Sequence, residues 1–268
     1  MKPATKLIHA GERTTGTAAP LTTPIYETST FVFGTAQDVV AYNEGRSSGY
    51  LYSRYGNPTI VSVEQKLAAL DDAEAALLFS SGMGATASIL MGHLKAGDEV
   101  VCSAAIYGGT LHLLQDLLGR FGIVSRFVSV EELGTPDRVL GDRTRILWFE
   151  SPINPTLRCV DVRTIAAACR ARGVLSVIDN TFASPINQQP LALGVDLSMQ
   201  SATKYLNGHS DVTGGVVTGP RSLVAPAEQA RRKHSRVVDD QYIARAQQRR
   251  KCGHCGVRQF AGLPSKTK

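Results

Sequence analysis

The stretch Ala75-Ala-Leu-Leu-Phe-Ser-Ser-Gly-Met-Gly-Ala-Thr-Ala87 joins a short apolar run to a glycine-containing turn and a helix-like segment. The run Ala75–Phe79 has the length of a buried strand, and Gly82 and Gly84 stand where that strand would turn into a helix. Backbone N–H groups at such a turn, with the N-terminus of the following helix, can cradle an anion. The stretch therefore predicts a strand-helix unit with a phosphate-binding turn.

The chain on both sides of this stretch repeats the alternation. Upstream, Pro58 opens a segment whose apolar residues recur every three or four positions, which predicts a helix. An α/β fold with a mainly parallel sheet follows, because strands and helices alternate, and the carboxyl edge of such a sheet gathers ligand-binding turns. The other predicted strands are Glu99–Cys102, Val124–Val128, Arg145–Phe149 and Val174–Ile178, and helix-like segments lie around 85–94, 110–121 and 163–172.

Length and composition predict one large domain with flanking segments. With 268 residues and 43% hydrophobic composition, the chain can bury a sizeable core. We assign residues 1–58 to an extended N-terminal arm and residues 59–220 to the large domain. Residues 221–268 show no strand-helix pattern and form a basic tail, the remnant of a further domain or disordered. The tail carries a net charge of +9 and residues 1–220 carry −3, so the main body implies no nucleic-acid partner.

The cysteines and the hydropathy pattern favour a cytoplasmic protein. Five cysteines, an odd number, do not suggest a disulfide framework, which fits a reducing compartment. The chain has no apolar signal segment and no run of about 18 apolar residues, so we expect a soluble protein without a membrane partner. Cys252-Gly-His-Cys255 lacks a second ligand pair, and we predict neither a metal site nor a redox function there.

Lys204, within Ser201-Ala-Thr-Lys-Tyr-Leu-Asn-Gly-His-Ser-Asp211, is the candidate catalytic residue. A lysine amine can form a Schiff base with a carbonyl, and the hydroxyls of Ser201 and Thr203 could hold a phosphate beside it. A buried strand ends at Asp179, where the acid could face a pyridinium ring. Taken singly, such a lysine is often a solvated surface residue and such an aspartate a turn former.

A dinucleotide fingerprint competes with this interpretation. Gly82, Gly84 and Ala87 satisfy G-x-G-x-x-A, but that motif needs an acid at the end of the second strand to bind a ribose hydroxyl. Asp98 and Glu99 instead precede the second predicted strand. The position of the acid disfavours NAD binding, and a generic phosphate cradle remains.

Three further turns carry candidate ligand-binding side chains. Tyr107 follows the second strand and could stack on a planar cofactor, or simply lie at a loop edge with its hydroxyl in water. Asn154, in a proline-rich turn, could bind a ligand or its own backbone. In the arm, Tyr52 and Arg54 lie in a hydroxyl-rich segment that suits a phosphate or forms a structural turn.

A Schiff-base lysine, an acid for a ring nitrogen, a stacking ring and phosphate cradles together match the requirements of a pyridoxal phosphate enzyme. Residues from about 5 to 220 resemble the Cys/Met-metabolism (trans-sulfuration) family of such enzymes. The motifs that carry the resemblance are Tyr52-Ser-Arg-Tyr-Gly-Asn-Pro-Thr59, Ser80-Ser-Gly-Met-Gly-Ala85, Tyr107-Gly-Gly-Thr110, Glu150-Ser-Pro-Ile-Asn-Pro-Thr156, Asp179-Asn-Thr-Phe-Ala-Ser-Pro185 and Ser201–Val212.

The resemblance implies a fold and a set of roles. The fold would be the aspartate-aminotransferase-like large domain of fold type I, a three-layer sandwich around a mainly parallel sheet. Lys204 would form the internal aldimine and shuttle protons, and Asp179 would pair with the pyridinium. Tyr107, the second catalytic candidate, would stack on the ring. Asn154 would contact the ring's 3-hydroxyl. The implied phosphate ligands are Gly82, Met83, Ser201 and Thr203, joined by Tyr52 and Arg54 from the neighbouring subunit of a homotetramer.

The implied reaction is elimination or replacement at the β or γ carbon of amino acids such as cystathionine, activated homoserine or cysteine. Gly109 stands where methionine γ-lyases carry a cysteine, which favours cystathionine γ-synthase or γ-lyase chemistry over β-lyase, methionine γ-lyase or O-acetylhomoserine sulfhydrylase activity. No Arg-Leu-Ser-x-Gly pattern follows Pro220, so we expect a truncated chain that lacks most of the small C-terminal domain. The alternative is an inactive homologue that binds the cofactor or joins full-length subunits.

Overall fold

A computed structural model describes residues 2–11 and 23–233 of the chain. The Cys252–Cys255 segment and the rest of the predicted tail beyond residue 233 lie outside the described residues. One sheet contains the strands β1 Ala75–Phe79, β2 Glu99–Ser103, β3 Val124–Val128, β4 Thr144–Glu150, β5 Leu175–Asp179, β6 Leu197–Gln200 and β7 Gly215–Gly219.

The strand order of the sheet is β1-β7-β6-β5-β4-β2-β3. Strands β3, β2, β4, β5 and β6 pair in parallel, whereas β7 is antiparallel to both of its neighbours, β1 and β6. Strand β1 therefore runs in the same direction as β6. The carboxyl ends of β1 to β6 all meet at one edge, where β7 begins, and this edge gathers the polar turns.

Helices cover both faces of the sheet. The α-helices are α1 Pro3–His9, α2 Ala36–Asn43, α3 Pro58–Leu70, α4 Gly82–His93, α5 Gly108–His112, α6 Val162–Arg172, α7 Ser184–Asn187 and α8 Arg221–Lys233. Alternate residues of one strand contact opposite layers: Val100 and Cys102 pack with α4 and α8 side chains, while Val101 packs with those of α6. This three-layer α/β arrangement confirms the predicted fold class.

The predicted strands and helices are confirmed with small changes at their ends, but two strands were missed. Strands β6 and β7 were not predicted. The segment predicted as one helix over 110–121 is α5 followed by a π-helical turn, Leu113–Leu117, and a 3-10 turn, Leu118–Phe121. Gly122 ends it with φ 75°, a left-handed conformation that glycine adopts at little cost.

Helix α8 overturns one expectation from the sequence. We expected no regular element after residue 220, but residues 221–233 form a helix whose Val224 and Ala227 join the sheet's main core. Gly92 of α4 allows the two helices to approach closely, since a Cβ there would lie 2.6 Å from the Pro226 carbonyl oxygen. Arg231 of α8 is 4% exposed and donates to the Leu78 carbonyl at 2.7 Å. Arg231 is therefore held in place.

The N-terminal segment contains the helices α1 and α2, which were not predicted. Thr35 and Asp38 form a capping box at the start of α2. A bridge between Thr30 and Tyr52 brings two parts of the segment together. The domain boundaries at residues 58 and 220 stay a prediction.

Within residues 2–11 and 23–233, no helix has the length and apolar character to span a bilayer. In the same part of the chain, Cys102, Cys159 and Cys169 are free thiols.

Candidate active site

A cavity of about 340 Å³ opens at the carboxyl edge of the sheet. Its volume lies within the usual range of small-molecule sites. Eight of the residues predicted from the sequence line it together: Gly82, Met83, Tyr107, Asn154, Asp179, Ser201, Thr203 and Lys204. The remaining lining residues are Ser81, Thr86, Glu150, Pro152, Thr181, Phe182, Met199 and Thr213.

The N-terminus of α4 forms one end of the cavity. Ser81 caps the helix, because its hydroxyl accepts the Gly84 N–H at 3.0 Å. The N–H groups of Gly82 and Met83 have no acceptor within the helix, as in the first turn of any helix. A Cβ on Gly82 would lie 3.0 Å from the Ser201 Cβ, so the glycine lets this helix end approach the Ser201 turn. The helix end is thus an exposed set of anion-binding donors.

Asp179 ends β5 at the floor of the cavity. Burial raises the pKa of its carboxyl group. Two hydrogen bonds to its Oδ1 atom oppose that effect: the Thr181 N–H donates at 3.0 Å and the Thr181 hydroxyl at 2.5 Å. The carboxylate is therefore held in one orientation by the residue two positions further along the chain.

Lys204 lies in the turn that follows β6. Its N–H donates to the Ser201 carbonyl at 3.1 Å and its carbonyl accepts the Gly208 N–H at 2.7 Å, so the backbone of the turn is fixed at both ends. The side chain lines the cavity and is exposed. None of the described residues forms a hydrogen bond or ion pair with its amine. The amine is thus available to a carbonyl group in the cavity.

Thr203 is bound to its own turn in this structure. Its hydroxyl donates to the Gly214 carbonyl at 3.2 Å and accepts the Gly214 N–H at 2.9 Å. These bonds join the Lys204 turn to the chain entering β7. The hydroxyl lines the cavity, but it must share its hydrogen bonds with Gly214 to bind a phosphate there.

Glu150 is a site residue to which sequence reasoning assigned no role. It ends β4, pairs in register with Asp179, and accepts the Tyr107 N–H at 2.6 Å and the Asn154 N–H at 3.4 Å. Burial and the charge of Asp179 raise the pKa of Glu150 to about 7. The side chain thereby connects the turn that carries the aromatic ring with the turn that carries Asn154. Its position after a buried strand was the available sequence signal.

Tyr52 and Arg54 lie away from this cavity within the one chain. The Arg54 guanidinium stacks over the Tyr52 and Tyr55 rings, at 5.2 and 5.1 Å from their centroids, and donates to the Tyr55 hydroxyl at 3.1 Å. The structure thus brings eight predicted site residues together and leaves these two outside.

Comparison with known proteins identifies the relatives of this site. A family described as Cys/Met metabolism PLP-dependent enzyme matches residues 4–240. The chain belongs to this family. The resemblance found in the sequence motifs is therefore confirmed.

Individual relatives carry two kinds of activity in their names. The chain is 43% identical over 222 residues to an L-methionine gamma-lyase of Fusobacterium nucleatum, and 42% identical over 222 residues to a cystathionine gamma-synthase of Mycobacterium bovis. Each match covers 82% of this chain and 55% of the relative, so the chain spans about half the length of these proteins. A crystal structure of cystathionine gamma-lyase from Lactobacillus plantarum, complexed with L-serine, superposes with a TM-score of 0.83. It is 35% identical, over 92% of this chain and 63% of that one.

Pyridoxal phosphate is the cofactor of this family, and the cavity residues fit it. The backbone N–H groups of Gly82 and Met83, at the start of α4, would hold the phosphate group. A Cβ at position 82 would narrow this anion site. The side chains of Tyr107, Asp179 and Lys204, which line the same cavity, would hold the ring. An aromatic ring, a buried acid and an amine are the groups that tune and bind this cofactor.

Proposed function

We propose that this chain is the cofactor-binding part of a trans-sulfuration enzyme that acts on sulfur amino acids by γ-replacement or γ-elimination. The observation that carries the proposal is the convergence of the Lys204 amine, the Asp179 carboxylate and the N-terminus of α4 on one cavity. The presence of each of these three groups, taken alone, could be explained by the fold without a bound cofactor. Together they supply a covalent anchor, a counter-charge for a ring nitrogen and an anion site.

Each side chain has a separate task in this proposal. When bound, pyridoxal phosphate accepts the electrons released as a bond at the substrate's Cα breaks. The Asp179 carboxylate keeps a ring nitrogen protonated by its charge. Tyr107 covers one face of the ring, and Asn154 binds its 3-hydroxyl. The Lys204 amine, once it is no longer bound to the cofactor, takes the proton from the substrate Cα. It then returns a proton to another atom of the substrate. The donors that hold the phosphate are Gly82, Met83, Ser201 and Thr203.

The substrate class and assembly extend this proposal. Cystathionine, an activated homoserine and cysteine are the expected substrates, because relatives are named for cystathionine and methionine chemistry. Gly109 stands where the family resemblance implies a cysteine in methionine γ-lyases, which favours γ-synthase or γ-lyase chemistry over methionine γ-lyase activity. We place Tyr52 and Arg54 at the phosphate of a neighbouring subunit in a cytoplasmic homotetramer, which would explain why both lie outside the cavity of their own chain.

Borohydride reduction tests the covalent part of the proposal. Protein incubated with pyridoxal phosphate and then reduced should carry the adduct on Lys204, located by peptide mapping. Lys204→Ala should lose the adduct and keep weak binding through the phosphate donors, whereas Lys95→Ala should behave as wild type. An adduct on another lysine, or none at all, would refute the assignment.

A second candidate function is cofactor binding without efficient turnover. It is favoured because no arginine is among the described residues that line the cavity, and a substrate carboxylate needs such a guanidinium for orientation. Orientation of reactants can contribute on the order of 7–11 kcal/mol to catalysis. Purified chain should then turn over cystathionine or an activated homoserine far below the roughly 1–1000 per second typical of enzymes. Rates within that range would exclude this alternative.

A further inference from the structure

The Thr181 hydroxyl lies between two groups of the site that belong to different strands. It donates to the Asp179 Oδ1 atom at 2.5 Å and accepts the Ser201 N–H at 2.8 Å. The Thr181 N–H also donates to the same carboxylate oxygen, at 3.0 Å. Thr181 is 9% exposed, so water competes little for these bonds. One hydroxyl thus joins the end of β5 to the first residue after β6.

The two ends of this hydrogen-bond chain, the Ser201 N–H and the Asp179 carboxylate, determine which atom donates in each bond. A backbone N–H can only donate, and an ionised carboxylate can only accept, so the Thr181 proton must point toward Asp179. Two donors on Oδ1 favour the charged carboxylate against the effect of burial. They also leave Oδ2 for a further partner. The arrangement stabilises the charge that a cationic ring nitrogen requires.

The other end of the chain acts on the lysine turn. Ser201, held through its N–H, packs against Gly82 of the anion cradle, and its carbonyl accepts the Lys204 N–H at 3.1 Å. Displacing Ser201 would therefore disturb both the cradle and the lysine. The hydroxyl of Thr181 is the direct connection between these groups and Asp179.

We propose that Thr181 is a positioning residue that sets the orientation and charge of Asp179 and fixes the Ser201–Lys204 turn, so that ring-nitrogen protonation and cofactor affinity depend on one hydroxyl. This inference rests on the proposed function. Among the described residues, the titratable groups that line the cavity with Asp179 are Glu150, its neighbour on β4, together with Lys204 and Tyr107. All three are unchanged in the variants that test the proposal.

The test compares Thr181→Val, which keeps the shape and removes the hydroxyl, with Thr181→Ser, which retains it. The first readout is the dissociation constant for pyridoxal phosphate. The second is the ¹⁵N chemical shift of the ring nitrogen in labelled cofactor as pH is varied. Thr181→Val should bind at least tenfold more weakly and should lose the ring-nitrogen proton at a lower pH. Thr181→Ser should stay within about threefold of wild type and keep the proton.

A matched control is Thr218→Val. Thr218 is buried and its hydroxyl donates to the Asp71 carboxylate at 2.6 Å, so it forms a comparable threonine-to-aspartate hydrogen bond but does not line the cavity. Its variant should lose stability without changing cofactor affinity or ring-nitrogen titration. If Thr181→Val does not fold, Thr181→Ala replaces it, with the same expected changes in cofactor affinity and ring-nitrogen titration.

The outcomes separate this inference from the function on which it rests. Wild type that does not bind pyridoxal phosphate refutes the proposed function and the role of Thr181 with it. Wild type that binds the cofactor, with a folded Thr181→Val or Thr181→Ala protein that matches it in both readouts, refutes the role of Thr181 alone. Loss of affinity in Thr181→Ser equal to that in Thr181→Val would also overturn it, because the hydroxyl would then not be the determinant.

Discussion

Replacing Glu150 with Gln should remove a pH dependence of folding stability. Glu150 is 4% exposed, and burial with the charge of Asp179 raises its pKa from 4.5 to about 7. The folded protein therefore keeps a proton that the unfolded chain releases at lower pH. Stability from this group is complete below about pH 4.5 and is lost as pH rises toward 7.

The size of the effect follows from the two pKa values. At 1.36 kcal/mol per pKa unit, the change corresponds to a loss on the order of 3 kcal/mol in the free energy of unfolding between pH 4.5 and 8. Glu150→Gln cannot titrate and should lack this loss. The quantity to measure is the difference in unfolding free energy between wild type and variant at each pH. Asp71, whose pKa burial raises to about 6, is present in both proteins and largely cancels.

Urea denaturation of cofactor-free protein provides the assay. The fluorescence of Trp148, the only tryptophan of the chain, reports unfolding from within β4 itself. Asp142→Asn, which removes an exposed carboxylate, serves as the control and should show no such difference. A wild-type-minus-Gln difference in unfolding free energy that stays constant within about 0.5 kcal/mol from pH 4.5 to 8 would refute the reasoning, because folding would then leave the pKa of Glu150 unchanged.

Three further predictions concern assembly, the anion cradle and α8. Mixing Arg54→Ala with Lys204→Ala chains should regenerate one intact site per dimer, measured as recovered cofactor binding in confirmed hetero-oligomers. Gly215→Ala should weaken cofactor binding at least tenfold, by titration, because its Cβ would lie 2.3 Å from the Ser81 carbonyl oxygen behind the helix end. Arg231→Met should lower the free energy of unfolding by about 1–3 kcal/mol, measured by denaturation, because it removes the donor to the Leu78 carbonyl and one partner of the half-buried Glu64 carboxylate.

Controls make each of these results specific. Gly119→Ala meets no atom within 4 Å and should leave cofactor affinity unchanged. Arg232→Met removes an exposed arginine paired with Glu228 and should cost less than about 1 kcal/mol. Equal effects of Arg231→Met and Arg232→Met would contradict the importance of burial. Hetero-oligomers that recover no binding would argue against a site shared between subunits.

The sequence predicted strands well where side chains were apolar and poorly where polar ones were buried. Strand β6, Leu197-Ser-Met-Gln200, is short and half polar, so its hydrophobic pattern gives little signal. In the fold Gln200 donates to the buried Asp71 at 3.4 Å, and Ser198 is fully buried. Only the tertiary structure reveals that both polar side chains are buried and that the Gln200 amide N–H has a polar partner there.

Helix α8 was missed for a different reason. Pro226 lies inside it and its first turn has no acidic residue, so both its start and its interior carry unfavourable signals. Yet Leu223, Val224 and Ala227 form an apolar stripe at helical spacing that packs against the sheet core. Packing outweighed local propensity here.

For the site, sequence motifs predicted the residues that line the cavity but not the residues that hold them in place through hydrogen bonds. Asp179 and Tyr107 could be proposed from their positions at the ends of predicted strands, and Lys204 from the hydroxyl residues that precede it. Thr181 and Glu150 could not, because their functions depend on partners far along the chain: the Ser201 N–H for the first and the Tyr107 N–H for the second. Such pairings arise from strand order, which the sequence pattern does not specify.

The antiparallel strand β7 has a consequence for synthesis of the chain. Among the strands of the described residues it is the last to be synthesised, yet it pairs with β1, the first of them, with Ala75 opposite Gly219. Its first residue, Gly215, also abuts Ser81 at the helix end that would receive the phosphate. A nascent chain that has already exposed Lys204 therefore still lacks a finished cradle. We therefore expect tight cofactor binding only after β7 has paired with β1, since that long-range pairing completes the cradle.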